Sequence, residues 1–314
     1  MFNALNSSSK GKDFLLSLET QGIKLGLQRT KDLLSICGNP EKHLYSVQII
    51  GTNGKGSTAA SLSSILIAAG MNVGMYTSPH LVDLSERITI NNNKIDNNDI
   101  DYFINQFSKE IQELHCTFFE TLTVMAAHFF NKKEVDVAIF ETGLGGRFDS
   151  VTACNARLQL FTKISIDHSH ILGDTITKIA IDKAHAIHHN TQCFSVEQQE
   201  AVKKILINKA NKKTSTISFN LDQYNDKFKS PLQGEHQKEN IMLAIKAAEN
   251  ITNVTDKNIS KGIQNISWPG RIELIGKNPN IFFDVSHNDD SIIAFCDTIE
   301  SLDNRGTNFL IISR

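Results

Sequence analysis

The chain has 314 residues, 40% of them hydrophobic, enough for one large domain and a smaller second one. Its 32 basic and 34 acidic residues leave a net charge of −2, so no global positive field exists to hold nucleic acid or an anionic membrane. Cys37, Cys116, Cys154, Cys193 and Cys296 stand singly, which excludes a disulfide framework and suits a reducing compartment. Residues 1–10 are polar and no apolar run reaches the roughly 20 residues that span a bilayer, so a soluble cytoplasmic protein is expected.

In chain order, the apolar run 47–50 leads into a glycine-rich turn, a helical stretch ending at Gly70, and a second apolar run at 73–76. This is the pattern of a βαβ unit. The asparagine-rich stretch 91–98 reads as a surface loop, and 121–131 as a helix. Further apolar runs fall at 135–140, 158–164, 217–219, 281–285 and 309–312, with helical patterns at 174–188, from His236 and from near Asp289. The alternation predicts an α/β fold with a mostly parallel sheet. A helical segment stops at Trp268-Pro269-Gly270, which places a domain boundary there, dividing the chain into 1–268 and 269–314. The second part holds too few elements to make a complete layer by itself.

The chemistry concentrates at turns and strand ends. Gly51-Thr52-Asn53-Gly54-Lys55-Gly56-Ser57-Thr58 comes after a strand and opens a helix, where backbone N–H groups and the helix dipole hold phosphate. Lys55 supplies a cation for terminal phosphates, and Ser57 or Thr58 a hydroxyl for a metal shell. The loop departs from the standard phosphate-loop pattern, with Ile49 at the position of its first glycine and Gly56 inserted between Lys55 and Ser57. Glu141 ends the 135–140 run and precedes Gly143, Gly145 and Gly146; it reads either as a surface or capping residue or as a hard oxygen ligand. His168 comes after the next run, with Asp167 beside it, and by itself is a structural histidine or a metal ligand. Lys183 falls in the 174–188 helix, where spacing alone makes it a solvated lysine.

The 51–57 loop resembles the phosphate loop of folylpolyglutamate synthases and dihydrofolate synthases, relatives of the Mur ligases. Tyr76-Thr77-Ser78-Pro79-His80-Leu81, Glu86-Arg87-Ile88, Thr117-Phe118-Phe119-Glu120, Glu141 to Arg147, Asp167-His168, Asp182-Lys183-Ala184, His236-Gln237 with Asn240, and Trp268-Pro269-Gly270-Arg271 are similar to that family's signatures, in its order. The resemblance runs from about Leu25 to Asn288. It implies a Mur-ligase-like phosphate-loop domain and a smaller Rossmann-like second domain, here incomplete at 269–314. It also implies a monomeric ligase that makes an acyl phosphate with ATP and joins L-glutamate to dihydropteroate, folate or both.

By the same resemblance, Thr52, Asn53, Gly54, Lys55, Gly56, Ser57, Asn240, Arg271 and Asp284 hold ATP, while Ser78, Glu141, His168 and Lys183 surround Mg2+, Lys183 as a carbamate. Lys55, Lys183 and His168 carry the catalytic roles, and Thr117, Phe118, Phe119, Glu120 and Phe148 line a pterin pocket. Two departures stand out: Lys183-Ala184-His185-Ala186 has an imidazole where the family has glycine, and Asp284-Val285-Ser286-His287-Asn288 has Ser286 for alanine. An ATP-binding remnant without ligase turnover, or a Mur-like ligase for another amino acid, are the alternative readings.

Overall fold

A computed structural model describes residues 9–22, 24–221, 228–302 and 311. Its elements are α1 (Lys10–Ser17), α2 (Gln28–Ile36), β1 (Ser46–Ile50), α3 (Lys55–Ala68), β2 (Val73–Tyr76), β3 (Ile88–Ile90), β4 (Asn93–Lys94), α4 (Asn97–Glu113) and α5 (Phe118–Lys132). Next come β5 (Val137–Glu141), β6 (Leu158–Phe161), α6 (Ser169–Leu172), α7 (Ile176–Ala184), β7 (Gln192–Ser195), α8 (Glu200–Lys212) and β8 (Thr216–Ser218). The chain continues through α9 (Glu235–Ile251), α10 (Asp256–Gln264), β9 (Glu273–Gly276), β10 (Ile281–Phe283) and α11 (Asp289–Ser301).

Eight strands form one sheet in the order β4-β3-β2-β5-β1-β6-β7-β8, parallel from β2 to β8 and antiparallel at β3 and β4. A separate antiparallel pair, β9 and β10, lies in the C-terminal segment. β1 is flanked by β5 and β6, and the chain leaves it toward β2 before returning through β5 to β6. That reversal is a topological switch point, and it opens a crevice at the carboxyl ends of β1, β5 and β6.

The buried strands read as near-continuous apolar runs because both faces are covered. Val47, Ile49, Val137, Ile139, Leu158 and Leu160 pack with α3, α9 and α10 on one face. On the other, Tyr76, Ala138 and Phe140 meet the α1, α2, α4 and α5 layer, and Ile50 and Phe161 meet α7 and α8. Two buried glutamines bridge these latter clusters: Gln159 Nε2 donates to Gln48 Oε1 at 2.7 Å and to the Ala186 carbonyl at 2.7 Å. Gln48 Nε2 donates to Thr152 Oγ1 at 2.9 Å and Thr142 Oγ1 at 3.2 Å, tying the glycine-rich 142–152 loop to the sheet.

The 47–50, 73–76, 158–164 and 217–219 runs all contain strands, and the 135–140 run starts its strand at Val137. Residues 91–98 form the β3–β4 turn and the first residues of α4, rather than a loop throughout. The 281–285 run ends its strand at Phe283, and most of 309–312 lies outside the described residues. β3, β4, β7 and β9 are additions; β7 carries only Cys193 and Phe194 as apolar residues, too little alternation to mark a strand. No helix among the described residues is long and apolar enough to cross a membrane.

Candidate active site

Gly51 to Gly54 turn tightly between β1 and α3. The Thr52 and Asn53 backbone N–H groups both donate to the Lys163 carbonyl, at 2.9 and 3.2 Å, and Thr52 Oγ1 donates to the Ser165 carbonyl at 3.0 Å. Gly54 has φ of 89°, and a side chain there would strike the Asn240 amide. Only glycine meets both demands at once. Lys55 Nζ folds back to the Thr52 carbonyl at 2.9 Å, while the buried Ser57 and Thr58 hydroxyls have no hydrogen-bond partner among the described residues. Orphaned buried hydroxyls at a helix start, beside the N–H groups of its first turn, are a ligand cradle.

Around this turn lies a cleft of about 510 Å³, in the range of small-molecule sites. Its wall includes Thr52 to Ser57, Ser78, Glu141, His168, Lys183, Asn240, Arg271 and Asp284, so every residue expected at ATP or metal lines one cavity. Glu141, at the tip of β5, is buried and accepts from the Ser78 N–H at 3.1 Å. Burial pushes its carboxyl up, against the pull of Lys55, then the Ser78 N–H and then Arg271. Burial pushes the Lys55 ammonium down, with Glu141 opposing. The two share one desolvated pocket, where charge interactions are stronger than in water.

Lys183 is also buried, its Nζ donating to the Gly51 carbonyl at 2.7 Å; burial, then the Lys55 charge, brings its pKa down to about 7. This departs from the solvated lysine that its helical spacing describes. The helix α7 turns it inward beneath the phosphate loop, where Gly146 lies against its backbone. His168 sits at a left-handed φ of 49°, half-exposed, and its ring Nε2 lies 4.0 Å from Asp167 Oδ1. Desolvation lowers its pKa and Asp167 opposes that.

Sequence reasoning passed over Asp149 and Lys163, and quoted Asn288 within a motif without giving it a role. Asp149 is buried and accepts from the backbone N–H groups of Gly143 (2.9 Å), Leu144 (2.8 Å) and Val151 (3.0 Å), shaping the loop after Glu141. Burial raises its pKa to about 6. An aspartate just after G-G-R-F was the available signal. Asn288 caps α11 and also reaches Asp167 Oδ2 at 3.1 Å.

The pterin-pocket residues do not join this cavity. Thr117 and Glu120 form the capping box of α5, and Glu120 is held by Arg29 through Nε at 3.1 and 3.0 Å and through Nη2 at 2.8 Å. With 4% of its surface exposed and both carboxylate oxygens engaged, Glu120 holds the start of α5 and Arg29 together. Phe118 packs under Arg87, 5.1 Å from the guanidinium, whereas the Phe119 ring lies against Gly143 and 5.7 Å from Tyr76. Phe148 is exposed and stacks on Arg147 at 4.8 Å. Asp284 spends its carboxylate on the backbone to either side, accepting from the Ile272 N–H at 2.8 Å and the Ser286 N–H at 2.8 Å.

A glycine-rich anion turn at the switch point of a parallel sheet defines a phosphate-loop α/β protein. No family model matches the chain. The dihydrofolate synthase/folylpolyglutamate synthase of Bacillus subtilis is 33% identical over 314 residues, covering 89% of this chain and 73% of that protein. The chain belongs to the dihydrofolate synthase/folylpolyglutamate synthase family. A probable bifunctional folylpolyglutamate synthase/dihydropteroate synthase of Halobacterium salinarum is 33% identical over 319 residues, but the chain spans 39% of its length. Among solved structures, Mycobacterium tuberculosis folylpolyglutamate synthase complexed with ADP and AMPPCP matches with a TM-score of 0.84 at 27% identity, over 93% of this chain and 74% of that one. A folylpolyglutamate synthase–AMPPCP–folate complex matches equally, with a TM-score of 0.84 at 26% identity, over 94% and 81%.

Proposed function

We propose that the chain is an ATP-dependent carboxylate–amine ligase that joins L-glutamate to dihydropteroate or to a folate. The observation that carries this reading is the single cleft in which Lys55, Glu141, Lys183 and Arg271 face the phosphate loop with its orphaned Ser57 hydroxyl. Relatives named for this activity, and a neighbour solved as a complex with AMPPCP and folate, support the substrate class.

A carboxylate acylates poorly because its oxygen leaves badly. The γ-phosphoryl group of ATP is transferred to that oxygen, and the ADP formed departs. Lys55 and the loop N–H groups bind the phosphates and stabilise the charge that develops on them. The amine of L-glutamate then attacks the acyl carbon, loses a proton and expels phosphate, forming the amide. The protein needs no nucleophile of its own; Arg271 and Asn240 orient the nucleotide, and the buried walls keep water from the mixed anhydride. Residues 269–302 serve as part of a second domain that closes over the nucleotide.

Among the described residues no three His, Cys, Asp or Glu side chains gather into a metal cage. The donor set fits magnesium, which takes one or two carboxylates and leaves its other positions to water and phosphate. Glu141 and the Ser57 hydroxyl would hold it, with Ser78, His168 and Lys183 nearby, and it supplies charge neutralisation when bound. The lowered pKa of Lys183 supports carbamylation: at neutral pH a fraction of the amine is free to add to CO2, forming an N–C bond and releasing a proton. Intact mass measured in bicarbonate buffer tests this; a mass without the added CO2 rejects the carbamate.

Assaying ADP release with ATP, Mg2+, dihydropteroate and L-glutamate tests the reaction. Turnover that depends on both acceptor and glutamate supports it. Binding of ATP without glutamate-dependent ADP release rejects the ligase.

A further inference from the structure

We propose that Trp268 is the positioning residue of the phosphate loop, a pivot that couples nucleotide binding at Gly56 to the placement of Arg271. Gly56 lies in the first turn of α3 with ordinary helical backbone, so its lack of a side chain serves space alone. A Cβ there would lie 2.5 Å from the Trp268 indole, at Cζ2, and 3.0 Å from Nε1. The first turn of α3 therefore rests directly on the ring, while its residues Lys55 to Ser57 also line the cleft. This explains the residue that sets the loop apart from the standard pattern: the inserted glycine is the seat of the indole.

On its N-terminal side, Trp268 is tied to the same helix through α10. Ser64 Oγ donates to the Gly262 carbonyl at 2.7 Å, Asn258 Nδ2 donates to the Ala68 carbonyl at 2.8 Å, and a Cβ at Gly262 would meet Ile65 Cα at 2.5 Å. α10 thus moves as one body with α3. On its C-terminal side the chain is stiff in another way. Pro269 restricts its own φ, Gly270 is pinned at φ of 75° by its N–H to Glu273 at 2.9 Å, and Arg271 then enters the cleft. Trp268 is the last anchorage on α3 before the chain crosses to β9. A shift of the loop's first turn displaces the ring, and the ring carries Arg271 with it.

The inference rests on ATP binding at this cleft, and the chain has a single tryptophan, so its emission reports this contact alone. Wild-type protein is titrated with MgATP while emission and calorimetric heat are followed together. An emission change that saturates with the heat supports the proposal. Heat without an emission change overturns it while leaving the ligase reading intact, and absence of heat overturns both. Trp268→Ala is expected to raise KM for ATP on the order of ten-fold and to lower kcat, measured well below its melting temperature, with Trp268→Phe restoring both. A Trp268→Ala protein of lowered melting temperature but unchanged KM and kcat would show a merely structural ring and overturn the proposal.

Discussion

Asn53 and Asn288, 235 positions apart in the chain, exchange two hydrogen bonds between their side-chain amides, at 3.1 and 3.0 Å. The pair joins the phosphate loop to the N-cap of α11 and so draws the C-terminal segment over the cleft. Asn288→Asp keeps an acceptor for the cap but replaces the donor facing Asp167 with a like charge. The C-terminal segment is expected to loosen, with proteolysis within 269–302 accelerating and KM for ATP rising about ten-fold, a loss of ~1–2 kcal/mol. Limited proteolysis alongside steady-state kinetics measures both.

Lys55→Ala removes a partly buried cation that lines the cleft. ADP release should fall by about a hundred-fold or more, while the melting midpoint stays within about 5 °C of wild type. Turnover near the wild-type rate would remove Lys55 from phosphate binding.

His188 gives the protein a pH dependence unrelated to catalysis. Burial, with Lys213 and His189 adding to it, lowers its pKa from 6.5 to about 4, and its Nε2 has no partner among the described residues. The folded value lies below the unfolded one, so between these limits the unfolded chain binds the extra proton and stability falls as the pH is lowered. The contribution is complete above pH 6.5, is lost as the pH reaches about 4, and is worth on the order of 3 kcal/mol. His188→Gln should flatten this part of a denaturant-midpoint profile against pH.

Arg29→Ala leaves Glu120 as a buried carboxylate with only the Thr117 N–H for company. Losing one partner of such a pair costs about 3–5 kcal/mol, and Glu120→Gln, which keeps its hydrogen-bonding shape, should cost less. Thermal melts followed by circular dichroism order the two variants. A Glu120→Gln protein that melts normally but has lost affinity for the pterin substrate would return Glu120 to a binding role.

Much of the α/β layering was written in apolar runs, because parallel strands buried on both faces leave little polar punctuation. Lys55 was readable for the same reason as the loop around it: strand, glycines and helix succeed one another in a dozen residues. Glu141 was readable as a strand-end residue, whereas His168 lies beyond the end of β6 as the N-cap of α6, and only the folded chain brings both to one crevice. The contacts that sequence left hidden join distant segments. Asn53 with Asn288, Gln48 with Gln159 and Gly56 with Trp268 have no local pattern to announce them. Glu120 shows why such a reading stays open from sequence: a capping box and a binding motif use the same residue types, and the sequence does not show the Arg29 pairing.

Ile272 occupies the left-handed region at φ of 49°, a conformation that a β-branched residue adopts at a cost of about 1–2 kcal/mol. Its N–H is held there by the Asp284 carboxylate, the very group facing the nucleotide cleft. The turn between Arg271 and Asp284 is thus a loaded bend: the strain at Ile272 is held in place by one carboxylate that also lines the cleft.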